Sequence, residues 1–121
     1  MIEVNMNGIF ATVRAAVRHM KPRKSGRIII TTSLAATRIE PAIGAAYMTA
    51  KAGIRNFMRN VALELAAYNI TVNAIAPGYI VTNIGDGHAL NPVEQKAVAK
   101  TIPMHRVGFP EPGHRAALVV G

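Results

Sequence analysis

The sequence predicts an α/β fold built on a parallel sheet. Two runs rich in β-branched and apolar residues, 26–33 and 70–76, do not alternate and read as strands buried on both faces. Between them lies a long segment with apolar residues at helical spacing. Strand, long helix, strand is a βαβ unit, with a parallel pair and an expected right-handed crossover.

Each element has its own local reason. From Val4 to Met20, the residues Met6, Phe10, Val13, Val17 and Met20 form one apolar stripe, so an amphipathic helix is expected, ended by Pro22. Lys21 to Gly26 reads as a short polar connection. Gly26-Arg27-Ile28-Ile29-Ile30-Thr31-Thr32-Ser33 is the first strand, and residues 34–44 form a loop with Pro41 and Gly44. A second helix is expected over 45–68, with Ile54, Phe57, Met58, Val61 and Leu65 on one side and small residues at Ala46, Ala50 and Gly53. Asn69 is a natural stop because Asn tolerates the left-handed conformation. Ile70 to Ala76 is the second strand, closed by Pro77-Gly78.

Residues 79–90 read as an exposed loop with a Gly85-Asp86-Gly87 turn. Asn91-Pro92-Val93-Glu94 signals a helix start: Asn as cap, Pro at the first position and Glu at the third. That helix is expected to stop before Pro103. The segment from Glu111 to Val120 begins as a poor helix, with Pro112-Gly113, and ends in an apolar run.

Composition narrows the function classes. The chain has 121 residues, half of them apolar, and no cysteine, which excludes disulfides and thiolate chemistry. No apolar run approaches the ~18 residues of a membrane span, so no membrane partner is expected. The net charge is +8. Residues 1–60 carry ten basic and two acidic side chains, whereas 61–121 carry four of each. The dense stretch Arg14, Arg18, Lys21, Arg23, Lys24, Arg27 suggests a phosphate-binding patch. It equally suits the negative C-terminal end of a helix dipole. No aromatic lies in it to stack bases, and no nucleic-acid-binding spacing is present, so nucleic acid is not the expected partner. His19, His88, His105 and His114 are scattered without metal-ligand spacing; surface roles and no metal are expected.

Three polar residues carry candidate chemistry. Ser33 sits at the carboxyl end of the first strand, the edge where ligands bind in open α/β sheets. Tyr47 and Lys51, four apart, share one face near the start of the next helix. An ammonium beside a phenol favours the phenolate, and the positive end of the helix dipole acts the same way. That is a route to a Tyr acting as general acid/base. Tyr-x-x-x-Lys alone is also what a half-buried Tyr and a solvated Lys would look like.

The motif order resembles the short-chain dehydrogenase/reductase family. Residues 26–33 resemble its strand ending in the catalytic Ser, and Tyr47-Met48-Thr49-Ala50-Lys51-Ala52-Gly53 its Y-x-x-x-K segment. Val72 to Thr82 is similar to its strand and P-G loop, and Val4-Asn5-Met6-Asn7-Gly8 to the helix with its fourth active-site residue. Met104 to Glu111 resembles a segment before a late helix. The resemblance implies a Rossmann-like doubly wound parallel sheet, here partial: helix, strand, helix, strand and a short helical segment. It implies an NAD- or NADP-dependent cytoplasmic oxidoreductase acting on a small-molecule alcohol or carbonyl.

By the same resemblance, Tyr47 is the acid/base, and Lys51 assists it and binds the nicotinamide ribose. Ser33 orients the substrate oxygen. Asn5 holds a relay water, a role Asn7 could fill instead; a helix cap is the structural alternative. Pro77, Gly78 and Thr82 contact the nicotinamide end, although Pro-Gly after a strand is also an ordinary turn. A homo-oligomer through helices 4–20 and 45–68 is implied as well.

The chain departs from the family pattern at both ends. It holds no T-G-x-x-x-G-x-G phosphate loop, no cofactor-selecting residue after a second strand and no N-N-A-G strand. The Ser33-to-Tyr47 spacing is one residue longer than usual. The expectation is therefore a single partial domain over 1–121, lacking the N-terminal phosphate-binding βαβ unit and the C-terminal strand. Two other readings stand beside the enzyme: a non-catalytic dimerising remnant and a basic nucleic-acid-binding module.

Overall fold

The computed structural model describes residues 2–40, 43–83 and 90–110, and the backbone of 117–120. Strand β1 (Gly26–Thr31) pairs in parallel with β2 (Ile70–Pro77), in a register that sets Ile28 opposite Val72 and Thr31 opposite Ile75. Helix α2 (Ala45–Leu65) connects them, so the βαβ unit is present. Strand β3 (Ala117–Val120) completes the sheet in the order β1-β2-β3. The apolar run near the end of the chain thus becomes a strand.

Of the described residues, those up to Ala76 together with 119–120 belong to one compact unit and those from Pro77 to Leu118 to another. In the first, α1 (Gly8–Arg23) and α2 both pack on the sheet. Val13 from α1 meets Ile54, Met58, Val61 and Leu65 from α2 and Ile28, Ile30, Ile70, Val72 and Ala74 from the strands. Phe10 and Phe57 join the two helices edge to face, with ring centroids 4.2 Å apart. At the other end Lys21 Nζ lies 4.6 Å from the Tyr68 ring centroid.

Both strands were expected to be buried on both faces; neither is, since β2 alternates buried positions with exposed Thr71 and half-buried Asn73 and Ile75, and β1 is open on one side. Ile28 and Ile30 are buried, whereas Ile29 between them is 66% exposed. Residues 28 and 30 point to one side of a strand and 29 to the other. The two helices contribute to one core cluster, with Ile28 and Ile30, and Ile29 has no place in it. An apolar groove of about 480 Å³ runs beside it, lined among others by Val4, Gly8, Ile9, Thr12 and Ile29.

The first helix also departs from its expected form. Its opening turn, Glu3–Asn7, is π-helical, with the Asn7 amide donating to Glu3 Oε2 at 2.7 Å. Pro22 does not end it. The helix runs to Arg23, and Lys24 closes it in the left-handed region at φ 48°. Proline removes one backbone donor, so the carbonyl of Arg18, an exposed residue, joins the unpaired carbonyls of the helix end. The connection to β1 shrinks accordingly to Lys24-Ser25. Helix α2 gives way to a 3₁₀ turn at Ala66–Tyr68, and Asn69 stops it at φ 54° as its side chain suggested. A 3₁₀ turn at Leu34–Ala36 lies within the loop after β1.

In the second unit, α3 (Pro92–Ala99) starts as its sequence specifies. The Asn91 side chain accepts from the Val93 and Glu94 amides at 2.9 and 3.0 Å, and Glu94 accepts from the Asn91 amide at 2.8 Å. Ile80 and Gly108 form a parallel bridge, with the Gly108 amide on the Tyr79 carbonyl and the Val81 amide on the Gly108 carbonyl. The Gly85-Asp86-Gly87 turn, Pro41, His88, His114 and Pro112-Gly113 lie outside the described residues.

Candidate active site

The site begins where β1 ends. Thr31 closes the strand, and the next amide, that of Thr32, still donates to the Ile75 carbonyl at 2.9 Å. Ser33 then leaves the sheet in extended conformation and caps the following 3₁₀ turn, its Oγ accepting from the Ala35 amide at 3.2 Å. An Oγ that accepts retains its own hydrogen for donation. Half-buried at the sheet's carboxyl edge, that hydroxyl suits a carbonyl or alcohol oxygen as acceptor.

Helix α2 brings the other two residues to this edge. Tyr47 lies in its first turn, where its backbone amide donates to the Gly44 carbonyl at 3.0 Å. Lys51 is one turn further on, with Nζ 5.5 Å from the Tyr47 ring centroid. The same ammonium donates to the Thr31 carbonyl at 3.4 Å. Lys51 is only 8% exposed, and this burial pulls its pKa below the ordinary 10.5 by penalising the charged form. An ammonium has three donors, and Thr31 takes one of them. The remainder fits hydroxyl groups of a polar ligand at this edge.

Asn5 sits half-buried within the π-helical turn, and that turn packs against α2. A Cβ at Gly53 would stand 3.1 Å from Met6 Cε, so the small residue admits this approach two residues beyond Lys51. Asn7 is exposed and engaged with Glu3. Pro77 ends β2, and Gly78 and Thr82 follow in the second unit; the Thr82 hydroxyl lies 3.5 Å from the Ile80 carbonyl. The structure thus groups Tyr47, Lys51 and the strand end bearing Ser33 within the first unit.

One further side chain at this edge lies outside the motifs' Ser, Tyr and Lys positions. Thr32 is 3% exposed, and its hydroxyl donates to the Lys51 carbonyl at 3.2 Å. The available signal was a pair of hydroxyl-bearing residues ending an all-isoleucine run directly before Ser33.

Comparison with known proteins adds an independent observation. A family model described as enoyl-(acyl carrier protein) reductase matches residues 1–120. The chain belongs to the short-chain dehydrogenase/reductase family. A 3-oxoacyl-[acyl-carrier-protein] reductase of Synechocystis sp. is 40% identical over 111 residues, 92% of this chain and 42% of that protein. Among solved structures, a Burkholderia cenocepacia gluconate 5-dehydrogenase in complex with NADP and tartrate superposes with TM-score 0.82 at 30% identity. The match covers 89% of this chain and 42% of that one. A Brucella melitensis 3-oxoacyl-[acyl-carrier protein] reductase with bound NAD gives 0.79 at 35% identity, over 90% and 38%. This short-chain dehydrogenase/reductase chain therefore spans less than half the length of these relatives. Among its described residues, no helix is long and apolar enough to cross a membrane.

Proposed function

We propose that this chain carries the catalytic centre of an NAD- or NADP-dependent oxidoreductase that interconverts an alcohol and a carbonyl on a small molecule. The observation that carries the reading is the buried Lys51 ammonium, held by Thr31 and facing the Tyr47 ring, at the strand end that bears Ser33.

In reduction, the Ser33 hydroxyl donates to the substrate carbonyl and orients it. The Tyr47 phenol passes its proton to the same oxygen as the carbonyl becomes an alcohol; oxidation reverses the transfer. Lys51 stabilises negative charge on the phenol oxygen and offers its free donors to the ribose hydroxyls. Asn5 holds a water behind Lys51 for proton resupply. Pro77, Gly78 and Thr82 shape the nicotinamide end of the site. When bound, the nicotinamide supplies or takes up the hydride.

The reading extends to a homo-oligomer through helices 4–20 and 45–68, supported by the exposed Phe10 on α1 and Leu63 on α2. It also places the protein in the cytoplasm, where a diffusible dinucleotide would serve it. We read the 121 residues as a single partial domain, the catalytic part of a longer subunit. The second reading is a non-catalytic dimerising remnant that cannot hold a dinucleotide. Fluorescence titration with NADH and NADPH separates the two, because saturable binding excludes the remnant. Tyr47→Phe then tests the role of the phenol. Loss of a positioned acid/base lowers turnover by roughly 10²–10⁴-fold, with the circular dichroism spectrum unchanged. Unaltered turnover would overturn the reading.

A further inference from the structure

Two hydrogen bonds around Lys51 run in opposite directions. The Lys51 ammonium donates to the backbone of Thr31, and the side chain of Thr32 donates to the backbone of Lys51. Neighbouring residues of the strand end therefore hold both ends of one lysine. The Thr32 backbone is fixed independently, its amide donating to the Ile75 carbonyl at 2.9 Å. Thr32 thus joins the end of β1, the neighbouring strand β2 and the helix that carries Tyr47.

We infer that Thr32 is a positioning residue for the reaction centre: its hydroxyl, clasped to the Lys51 carbonyl, sets where helix α2 holds Tyr47 and Lys51 relative to Ser33. The inference rests on the functional reading above for the meaning of those three residues, though the clasp itself is a matter of geometry. A helix carbonyl has two lone pairs, so Lys51 can accept the Thr32 hydroxyl without giving up its bond within the helix. Thr32 is buried, which makes the bond costly to lose: the carbonyl keeps a partner, but a hydroxyl left without an acceptor there would be unsatisfied. The direction is also informative. The bond is made by the residue directly before Ser33 to the backbone of the residue one turn after Tyr47, so a shift of α2 along its axis breaks it.

The test uses the 121-residue chain and the nuclear magnetic resonance signals of its lysine Cε–Hε groups, with Lys51 assigned through Lys51→Arg. The groups facing the ammonium are the Thr31 carbonyl and the Tyr47 ring. Thr32→Val keeps shape and β-branching while removing the donor. The expected result is a Lys51 titration midpoint that rises toward 10.5, with weakened nuclear Overhauser contacts to the Tyr47 ring. Thr32→Ser, which retains the hydroxyl, should restore both. A folded Thr32→Val chain with a Lys51 midpoint unchanged or lower overturns the inference.

Should Thr32→Val not fold, the wild-type chain decides. A buried, bonded Thr32 hydroxyl exchanges slowly enough to give a resolved proton with a contact to the amide of Arg55, which lies four residues beyond Lys51 in α2 and shares its carbonyl. Absence of that proton in a folded chain overturns the inference as well. None of these signals depends on turnover. Failure of the catalytic reading would show in Tyr47→Phe and leave the Lys51 signals intact, so the two failures are distinguishable.

Discussion

Adjacent isoleucines on β1 offer a direct measure of how the sheet is covered. Ile30 is 5% exposed and Ile29 is 66% exposed, although both have the same side chain and both lie on β1 alongside β2. Truncating Ile30 to Ala removes buried methyl and methylene groups and leaves a cavity in the core cluster, at a cost of about 2–5 kcal/mol. Ile29 has only a third of its surface covered. Full burial of such a side chain contributes about 1.5–3 kcal/mol, so its truncation should cost about 0.5–1 kcal/mol, without a cavity term. Both substitutions lose the same β-branching, so strand propensity cancels in the comparison. Urea unfolding of Ile29→Ala and Ile30→Ala, followed by circular dichroism at low protein concentration, reads the difference. With a slope of about 1–3 kcal/mol per molar urea, the midpoints should lie roughly 1 M apart. Equal losses would refute the reasoning, because Ile29 would then be buried against something as Ile30 is.

Two further outcomes follow from single contacts. The protonated Lys51 is penalised by burial, so the wild-type chain carries that penalty in full at pH values below its folded pKa. The penalty is relieved as pH rises through that value toward the unfolded 10.5. Lys51→Met should therefore be more stable than wild type at neutral pH, with an advantage that shrinks in alkaline buffer; an advantage growing with pH contradicts the burial. Asn91→Ala removes both bonds that the cap accepts from α3 and should cost about 1 kcal/mol of local stability. Faster amide exchange at Val93 and Glu94 is the corresponding readout.

Local chemistry made much of this protein readable from its residues. The α3 start is legible because Asn, Pro and Glu at fixed offsets satisfy the free amides of a first turn, whatever lies around them. Asn69 is legible for the same reason: the left-handed stop depends on its own side chain. Tyr47 and Lys51 meet because four residues make about one helical turn. The coverage of β1 was not legible. An unbroken isoleucine run fits burial on both faces, and residue types do not tell which face a helix reaches. The π-helical turn at Glu3–Asn7 was not legible either, because its apolar spacing also satisfies an α-helix.

Within the site, the division follows the range of the forces. Side-chain identity and spacing alone were enough to place a phenol beside an ammonium and a hydroxyl at the end of a strand, because helix pitch and strand direction are local properties. The buried position of Lys51, its hold on Thr31 and the Thr32 clasp join residues 19 and 20 positions apart in the chain. Those bonds exist only once α2 has folded back over the sheet, since desolvation and long-range hydrogen bonding depend on what the rest of the chain brings near.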